Sequence, residues 1–388
     1  MPAPAIELRG ITKRCAQTIA NDDVNFKIEA GEIHALAGEN GAGKTTLARI
    51  LYGMWVPDAG QIFLNGLPVS FRSSADAIAA GIGMVHQHFM LIPAFTVAEN
   101  IVLGNEPRRA GIGLDGREAA STIRNLAEQF QLAADPDARA GDLAVGEQQR
   151  VEILKLLYRK ASILIFDEPT AVLSPAETTN LFRVMRGLKE QGKTILLITH
   201  KLDEIMEIAD RVTVMRRGKM IGERRVSDTS PKELARLMVG RDVDLAPERT
   251  ASSPGGAVLT GRNLSVKRKR GTTALHDVSL EIHSGEILGI AGVEGNGQTE
   301  LAEILAGIQI PDSGAVMLQN SDITPSHLRS QVAWIPEDRH QRAMVEPFTL
   351  SENLVLGFHR RAPYSSHGML HWNRIADWAT GLLQKYDV

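Results

Sequence analysis

One segment near the N-terminus has the residue types and the spacing of a phosphate-binding loop. It reads GENGAGKT and fits the pattern G-x-x-x-x-G-K-[ST]. In such a loop, glycines allow successive backbone N–H groups to point at phosphate oxygens, and the helix that follows adds its partial positive charge. Lys44 then reaches the β- and γ-phosphates, and the hydroxyl of Thr45 is placed to bind Mg²⁺. The predicted nucleotide-binding residues are Gly38, Glu39, Asn40, Gly41, Ala42, Gly43, Lys44, Thr45 and Thr46.

Two acidic residues follow an apolar run in the middle of the chain. Residues 163–166 read ILIF and are followed by Asp167 and Glu168, which places both carboxylates at the carboxyl end of a predicted core strand. Asp167 is then suited to hold Mg²⁺ through water, and Glu168 to orient or deprotonate an attacking water. His200 follows another apolar run. A histidine in such a place is more often structural, so the pattern alone leaves its role open.

Short apolar runs alternate with helical patterns, and these elements must position the chemistry. The predicted strands are residues 32–37, 162–166 and 194–199, which are apolar runs typical of strands covered on both faces. The predicted helices are residues 45–52, 117–131 and 175–190, the last with Ser174 as its N-cap and Pro175 at its first position. This alternation indicates an α/β fold with a mostly parallel sheet.

Composition and charge exclude several classes of protein. The 388 residues carry 43 Lys plus Arg and 46 Asp plus Glu, a net charge of −3, which argues against a broadly basic surface for nucleic acid. The single cysteine, Cys15, cannot form an internal disulfide and fits a reducing compartment. We expect neither a secretory signal at the start nor a membrane span, because no apolar stretch approaches about 18 residues.

The chain contains an internal repeat. Residues 24–62 align without gaps to residues 278–316, and roughly half of the aligned positions are identical. A period this long indicates two copies of one domain, each with alternating strand-like and helical runs, rather than a solenoid. We predict a first domain over residues 5–240, a flexible linker over 241–256 and a partial second domain over 257–388.

Five motifs occur in the order in which ABC-type ATPases carry them. They are GENGAGKT at 38–45, Gln87, LAVGEQQR at 143–150, ILIFDEPT at 163–170 and ITH at 198–200. The chain therefore resembles an ABC-type ATPase over nearly its whole length. The two copies, together with MVHQHFMLIPAFTVAENIVLG and WIPEDRHQRAMV, look like the ATP-binding subunit of importers for simple sugars and nucleosides. The stretch VGEQQRVEILKLLYR resembles the nucleoside-type branch most closely.

This resemblance implies a fold and a set of roles. It implies tandem P-loop NTPase domains of the ABC fold, each with a mostly parallel sheet, an antiparallel β subdomain and a helical insert, here at about 89–160, with the second copy incomplete. ATP and Mg²⁺ are the implied cofactors. The implied catalytic residues are Glu168 as the catalytic carboxylate, Gln87 as a sensor of the γ-phosphate, and His200 as a contact to that phosphate. The implied metal ligands are Thr45, Gln87 and Asp167.

The resemblance also implies partners. Such a subunit docks through its helical insert on integral-membrane permease subunits at the cytoplasmic face of the plasma membrane, and serves a solute-binding protein indirectly. The second ABC domain is the expected partner within the same chain, and dimerisation of two chains stays open. The alternative is a soluble tandem ABC ATPase of translation or repair, against which Gln298 and the short, nearly neutral linker argue. No nucleic acid is expected as a partner.

Several residues depart from the family pattern, and the departures fall together. In the signature L-S-G-G-Q, Ala144 and Val145 replace Ser and Gly. In the second glycine-rich turn, at 292–299, Gln298 stands where lysine belongs, and Glu337 replaces the sensing glutamine. Because each nucleotide of an ABC dimer lies between the P-loop of one domain and the signature of the other, these faults meet in one site. We expect one site that hydrolyses ATP and one that at most binds it.

Overall fold

The structure divides the chain into two units, Met1–Glu248 and Arg249–Val388. It is a computed structural model that describes residues 3–16, 18–87, 90–107, 115–130, 132–171, 173–242, 253–267, 273–292, 296–319, 321–323, 325–336 and 342–386. Most of the predicted linker over 241–256 lies outside these ranges. The domain bounds drawn from the repeat therefore stay predictions.

A parallel sheet forms the centre of the first unit and is built from its most apolar segments. The strands of this unit are β1 (Ile6–Cys15), β2 (Thr18–Ile28), β3 (Ile33–Ala37), β4 (Ala59–Leu64), β5 (Leu67–Val69), β6 (Ile82–Val85), β7 (Ile163–Asp167), β8 (Thr194–Thr199), β9 (Arg211–Arg216) and β10 (Lys219–Arg225). The central sheet has the order β10-β9-β3-β8-β7-β6, and only the pairing of β9 with β10 is antiparallel. Every residue of β3, β7 and β8 is buried. The predicted parallel α/β sheet is confirmed, with these three strands within one residue of their predicted bounds.

A second, antiparallel sheet of the first unit has the order β2-β1-β4-β5. Its apolar residues share one core with the central sheet and with the helix that follows β3. In this core Ile6 and Ile28 of the antiparallel sheet lie in the same buried cluster as Leu36 of β3 and Leu47. The shared core fixes the hairpin of β1 and β2 beside the loop that follows β3.

The helices of the first unit include the three that the sequence predicts, each close to its predicted bounds. They are α1 (Lys44–Leu51), α2 (Ser74–Ala79), α3 (Val97–Val102), α4 (Gly116–Gln129), α5 (Val145–Tyr158), α6 (Pro175–Glu190), α7 (Leu202–Ile208) and α8 (Pro231–Val239). Helix α6 matches its prediction at both ends, because Ser174 and Glu177 form a reciprocal capping box and Pro175 starts the helix. Helices α1 and α4 differ from their predicted bounds by one or two residues.

Three of these helices lie within the insert predicted at about 89–160. Helices α3, α4 and α5 contribute Ile101, Ile123 and Leu154 to one buried cluster that also contains Phe166 of β7. The insert is therefore packed against the strand that carries the acidic pair. The first residue of the predicted insert, Phe89, lies outside the described residues. None of the helices in the described part of the chain has the length and hydrophobicity needed to cross a membrane.

The second unit repeats the order of the antiparallel sheet. Its strands are β11 (Ala257–Lys267), β12 (Thr273–His283), β13 (Ser313–Leu318), β14 (Ser321–Asp322), β15 (Ser365–Ser366) and β16 (Met369–Leu370). Its helices are α9 (Gln298–Leu305), α10 (Pro325–Gln331), α11 (Leu350–Val355) and α12 (Trp372–Lys385). The order β12-β11-β13-β14 matches β2-β1-β4-β5 of the first unit.

The apolar run after β12 differs from its counterpart in the first unit. The repeat aligns Ile287 with Ile33 and Ile290 with Leu36 of β3, yet residues 286–290 form no strand, and Ile287 is 99% exposed. In the first unit, β3 lies between β8 and β9. No described segment of the second unit pairs with 286–290 in this way. The expectation of the same strand in both copies is therefore wrong for the described residues, because a parallel strand is buried only between neighbours.

Candidate nucleotide-binding site

The first unit gathers the predicted site residues at one edge of the parallel sheet. Backbone pairing aligns Ala37 at the end of β3 with Thr199 at the end of β8, and Asp167 at the end of β7 with Ile198. Strand β6 runs parallel to β7 on its other side. Four neighbouring strands therefore end at the same edge, which is where α/β sheets bind ligands. Each predicted site residue lies at one of these ends or in the segment that follows it.

The loop between β3 and α1 requires glycine at both of its ends. Gly43 caps α1 with a φ of 101°, and a Cβ there would lie 2.1 Å from the carbonyl oxygen of Ala20. A Cβ at Gly38 would lie 2.3 Å from the carbonyl oxygen of Met215. Asn21 donates from Nδ2 to the carbonyl of Gly43 at 3.1 Å, so the β1–β2 hairpin holds the end of the loop. The sequence contains no local signal for the parts played by Asn21 and Met215.

Lys44 fills the curve of this loop with its charged side chain. Its Nζ donates to the carbonyl oxygens of Gly38 and Glu39 at 2.7 and 2.9 Å, and the residue is buried. Burial lowers the pKa of Lys44, while the charges of Glu168 and Asp167 oppose that change. A buried ammonium group is stabilised more by anionic oxygens than by neutral carbonyls, so phosphate is a stronger partner for it.

The rest of the loop presents backbone and hydroxyl groups. Glu39, Asn40 and Gly41 are exposed, while Thr45 and Thr46 are half-buried in the first turn of α1. An anion that approaches the N-terminus of α1 therefore meets polar groups and the positive end of the helix dipole.

Thr45 and Asp167 lie together and would hold a divalent cation. The Thr45 hydroxyl donates to Asp167 Oδ1 at 3.4 Å, so two oxygen donors of the kind that Mg²⁺ prefers lie side by side. Burial raises the pKa of Asp167 to about 6, and the negative charge of Glu168 adds to this rise. The hydrogen bond from Thr45 and the positive charges of Arg49 and Lys44 act in the opposite direction and lower the pKa. A buried carboxylate of this kind fits Mg²⁺. The described residues hold no cluster of three or more His, Cys, Asp or Glu side chains that forms a protein-only metal site, so phosphate and water would complete the coordination.

Glu168 and His200 form a hydrogen-bonded pair beside this position. His200 Nδ1 lies 3.1 Å from Glu168 Oε1, and the backbone N–H of Glu168 donates to the carbonyl of Ile198 at 2.9 Å. Glu168 has a φ of 48°, which turns the chain sharply at the end of β7. Gln87 is exposed two residues beyond β6, at the neighbouring strand end. The structure thus brings Glu168 and His200 into contact and places Gln87 at the same edge of the sheet.

The segment aligned with the family signature begins helix α5. Ala144 is the N-cap of this helix and offers no side-chain hydrogen bond, whereas Glu147 accepts the Ala144 N–H at 3.0 Å. A Cβ at Gly146 would lie 2.6 Å from Glu177 Oε1, so a carboxylate of α6 lies against the first turn of α5. A phosphate that approaches this helix end meets no serine hydroxyl at Ala144.

The glycine-rich turn of the second unit repeats part of the geometry of the first. Gly297 caps α9 with a φ of 100°, and a Cβ there would lie 2.3 Å from the carbonyl oxygen of Ala274. A Cβ at Gly292 would lie 2.2 Å from Gln298 Nε2, so the amide of Gln298 lies beside the first glycine of this turn. Residues 293–295 and 337, and with them the predicted replacement of a glutamine by Glu337, lie outside the described residues.

Comparison with known proteins identifies this arrangement. The family described as ABC transporter matches residues 21–171 and 275–387, which include the glycine-rich loop, Asp167 and Glu168. The chain belongs to this family. As an ABC-type protein it binds ATP with Mg²⁺ and is an ATPase, so the predicted ABC fold and cofactors are confirmed.

Individual relatives and a solved structure agree with this membership. The chain is 48% identical over 99% of its length to the nucleoside import ATP-binding protein NupA of Lactococcus lactis subsp. cremoris (strain MG1363), and spans 76% of that protein. The same figures hold for the guanosine import ATP-binding protein NupO of Bacillus subtilis (strain 168). The ribose import ATP-binding protein RbsA 1 of Rubrobacter xylanophilus is 44% identical over 91% of this chain and 70% of its own length. MJ1267, a solved ATP-binding cassette of an ABC transporter, matches with a TM-score of 0.54 and 25% identity over 60% of this chain and 98% of its own.

Proposed function

We propose that the chain is the ATP-binding subunit that energises import of a nucleoside or a simple sugar through an ABC transporter. The observation that carries the proposal is the contact between Glu168 and His200 beside the pair of Thr45 and Asp167, at the mouth of the glycine-rich loop. Relatives named for nucleoside and guanosine import are 48% identical to the chain, against 44% for a relative named for ribose import. This difference favours a nucleoside as the transported solute.

The geometry supports a part for each residue in cleavage of the bond to the γ-phosphate. Lys44 would turn its ammonium group from the loop carbonyls to the β- and γ-phosphates. Thr45 and Asp167 would hold Mg²⁺, which when bound neutralises charge on the phosphates. Glu168 would orient the attacking water and accept its proton, and His200 would hold the Glu168 carboxylate and contact the γ-phosphate.

We infer further that the chain contains two tandem copies of the ABC domain, the second shorter, with unequal nucleotide sites. The sheet order and the cap of Gly297 in the second unit support the tandem arrangement. Replacement of the ammonium group of Lys44 by the amide of Gln298 removes a charge-assisted contact worth about 1.5–3 kcal/mol, a factor of about ten or more in affinity. Ala144, which lacks a hydroxyl, belongs to the signature that would face the second turn. One site would therefore hydrolyse ATP, and the other would at most bind it.

The proposed partners are integral-membrane permease subunits at the cytoplasmic face of the plasma membrane, with a solute-binding protein acting through them. Gln87 lies at the start of the segment that leads into the insert, and Met90 and Leu103 on either side of α3 are exposed apolar residues suited to a protein contact. The second ABC domain would be the partner within the chain. The alternative of a soluble ATPase of translation or repair has less support, because NupA, NupO and RbsA 1 are all named for import.

Reconstitution tests the proposal directly. Affinity purification of the chain from membranes is expected to recover a polytopic membrane protein. Proteoliposomes that contain this complex and its solute-binding protein should take up labelled guanosine when ATP is supplied on the side of the chain, and ribose serves as the competing solute. The control is Glu168→Gln, which should assemble in the complex but drive no uptake. Recovery of the chain on ribosomes, without any membrane protein, would contradict the proposal.

A further inference from the structure

We propose that Glu204 is a positioning residue that holds Glu168 and His200 in the arrangement needed to cleave ATP. Glu204 lies in the first turn of α7, and only 6% of it is exposed. An acidic residue in the first turn of a helix is common, because it complements the helix dipole. The partners of Glu204, however, lie on two other segments of the chain, and this inference rests on the roles proposed for Glu168 and His200.

Both oxygens of the Glu204 carboxylate accept hydrogen bonds from buried threonines. Thr170 Oγ1 donates to Oε1 at 2.5 Å, and Thr199 Oγ1 donates to Oε2 at 2.9 Å. Both threonines are buried. Lys201 completes the cluster, since its Nζ lies 3.1 Å from Glu204 Oε1 and donates to the carbonyl of Thr170 at 3.2 Å. Each polar group of the cluster is therefore satisfied, which makes its geometry specific.

The two threonines lie next to the proposed catalytic pair in the sequence. Thr170 follows Glu168 by two residues, and Thr199 directly precedes His200. Glu204 thus joins the turn after β7 to the end of β8, beyond the last residues at which these two strands pair. Because each anchor is one or two residues from a catalytic side chain, losing one anchor should widen the range of distances between Glu168 and His200.

A pair of matched variants separates this role from a general effect of charge on α7. Glu204→Gln keeps the size of the side chain but leaves a single accepting oxygen, so one threonine hydroxyl loses its acceptor. Glu207→Gln is the control, since Glu207 lies on the same helix and its half-exposed carboxylate pairs with Arg186.

In single-turnover assays with the 388-residue chain in excess over Mg-ATP, cleavage should slow roughly tenfold to a hundredfold in Glu204→Gln. The Kd for Mg-ATP should stay unchanged, and Glu207→Gln should match the wild type in both measurements.

Further variants keep the test informative if Glu204→Gln folds poorly. Thr170→Val and Thr199→Val are close in shape to the native residues and each removes one donor, so each should slow cleavage without changing the Kd for Mg-ATP. Adding Glu204→Gln to His200→Ala should slow cleavage no further, because the pair that Glu204 positions is already broken. An additional loss in that double variant, of the same size as in the single variant, would overturn the positioning role.

Hydrogen exchange gives a readout that does not depend on turnover. The Glu168 N–H donates to the Ile198 carbonyl in the turn that Glu204 anchors, so its exchange should accelerate roughly tenfold or more in Glu204→Gln and stay unchanged in Glu207→Gln. Unchanged exchange in both variants, or a Kd for Mg-ATP that rises in parallel with the loss of cleavage, would overturn the inference. A wild-type chain that cleaves no ATP would contradict the proposed function instead, while the exchange comparison would still decide the role of Glu204.

Discussion

We expect Asp167→Asn to stabilise the free protein, because it removes a charge that the fold buries. The carboxyl group is 3% exposed, and its pKa is raised to about 6, first by burial and then by the charge of Glu168. Without a metal ion, the ionised group is therefore less stable in the folded chain than in water. Asparagine has nearly the same shape, and its Oδ1 can still accept the Thr45 hydroxyl.

The magnitude and its pH dependence follow from the pKa. A carboxyl group whose pKa rises from 3.8 to about 6 on folding lowers the free energy of unfolding by about 3 kcal/mol at neutral pH. As the pH falls, the folded state takes up the proton first, so this cost disappears between about pH 6 and about pH 4. Asp167→Asn should raise the free energy of unfolding by about 1–3 kcal/mol at neutral pH. The lower end of this range allows for the weaker hydrogen bonds that a buried amide makes. Below about pH 4 it should have almost no effect.

Urea denaturation of wild type and variant in EDTA, at several pH values, measures this difference. The control is Asp137→Asn, because Asp137 is 78% exposed in its pair with Arg124 and its loss should have little effect on stability. With Mg-ATP the order should reverse, since the wild type gains binding free energy that the variant loses. A variant that is less stable than wild type in EDTA at neutral pH, or a difference that does not change with pH, would refute the reasoning.

Four variants test the P-loop and the proposed base. Lys44→Ala removes the ammonium group from the loop, and calorimetry should show Mg-ATP affinity at least roughly tenfold lower. Gly43→Ala places a Cβ 2.1 Å from the Ala20 carbonyl oxygen and should abolish nucleotide binding. The matched control is Gly41→Ala, whose Cβ meets no atom within 4 Å. This variant should still bind nucleotide, and its free energy of unfolding should fall by about 1–2 kcal/mol because Gly41 has a positive φ. Glu168→Gln should bind ATP and lose hydrolysis in the complete complex; hydrolysis at the wild-type rate would show that Glu168 is not the base.

Features defined by short stretches of sequence were predicted well. Strands β3, β7 and β8 are unbroken apolar runs, and α6 has its start signals, Ser174 and Pro175, in adjacent positions. The glycine-rich loop, Asp167 and Glu168 could likewise be found, because a strand followed at once by these residue types limits where the side chains can lie. A role for His200 followed only from the family resemblance, since the pattern around His200 alone is ambiguous, and its contact with Glu168 was not predicted.

Features that depend on distant segments could not be predicted. Asn21 and the Met215 carbonyl oxygen pack against the two ends of the loop from other strands. Glu204 accepts a hydrogen bond from Thr170, which lies 34 residues earlier in the chain. Ile287 is the clearest case, because its run resembles that of β3 and yet it is exposed. An apolar run becomes a buried parallel strand only when neighbouring strands are present, and those neighbours lie far away in sequence.

The two glycine-rich turns share the conformation of the glycine that caps the following helix and differ in the charge of the side chain that comes next, Lys44 or Gln298. Their capping glycines have φ values of 101° and 100°. Lys44 Nζ lies 2.7 Å from the Gly38 carbonyl oxygen, and the amide of Gln298 lies beside Gly292. Since an amide carries no charge, we expect the missing ammonium group to lower the affinity of the second turn for phosphate.

The effect of the missing ammonium group can be measured in a chain whose first nucleotide site is inactivated by Lys44→Ala. In that background, Gln298→Lys should raise the affinity for Mg-ATP by roughly tenfold or more in a calorimetric titration, because it restores a charge-assisted contact to phosphate. The control is Gln331→Lys, an exposed position at the end of α10 that changes the net charge by the same amount. If Gln298→Lys binds no better than the control, the missing ammonium group does not distinguish the turns. The proposal of one hydrolysing and one binding site would then have to depend on the signature segments alone.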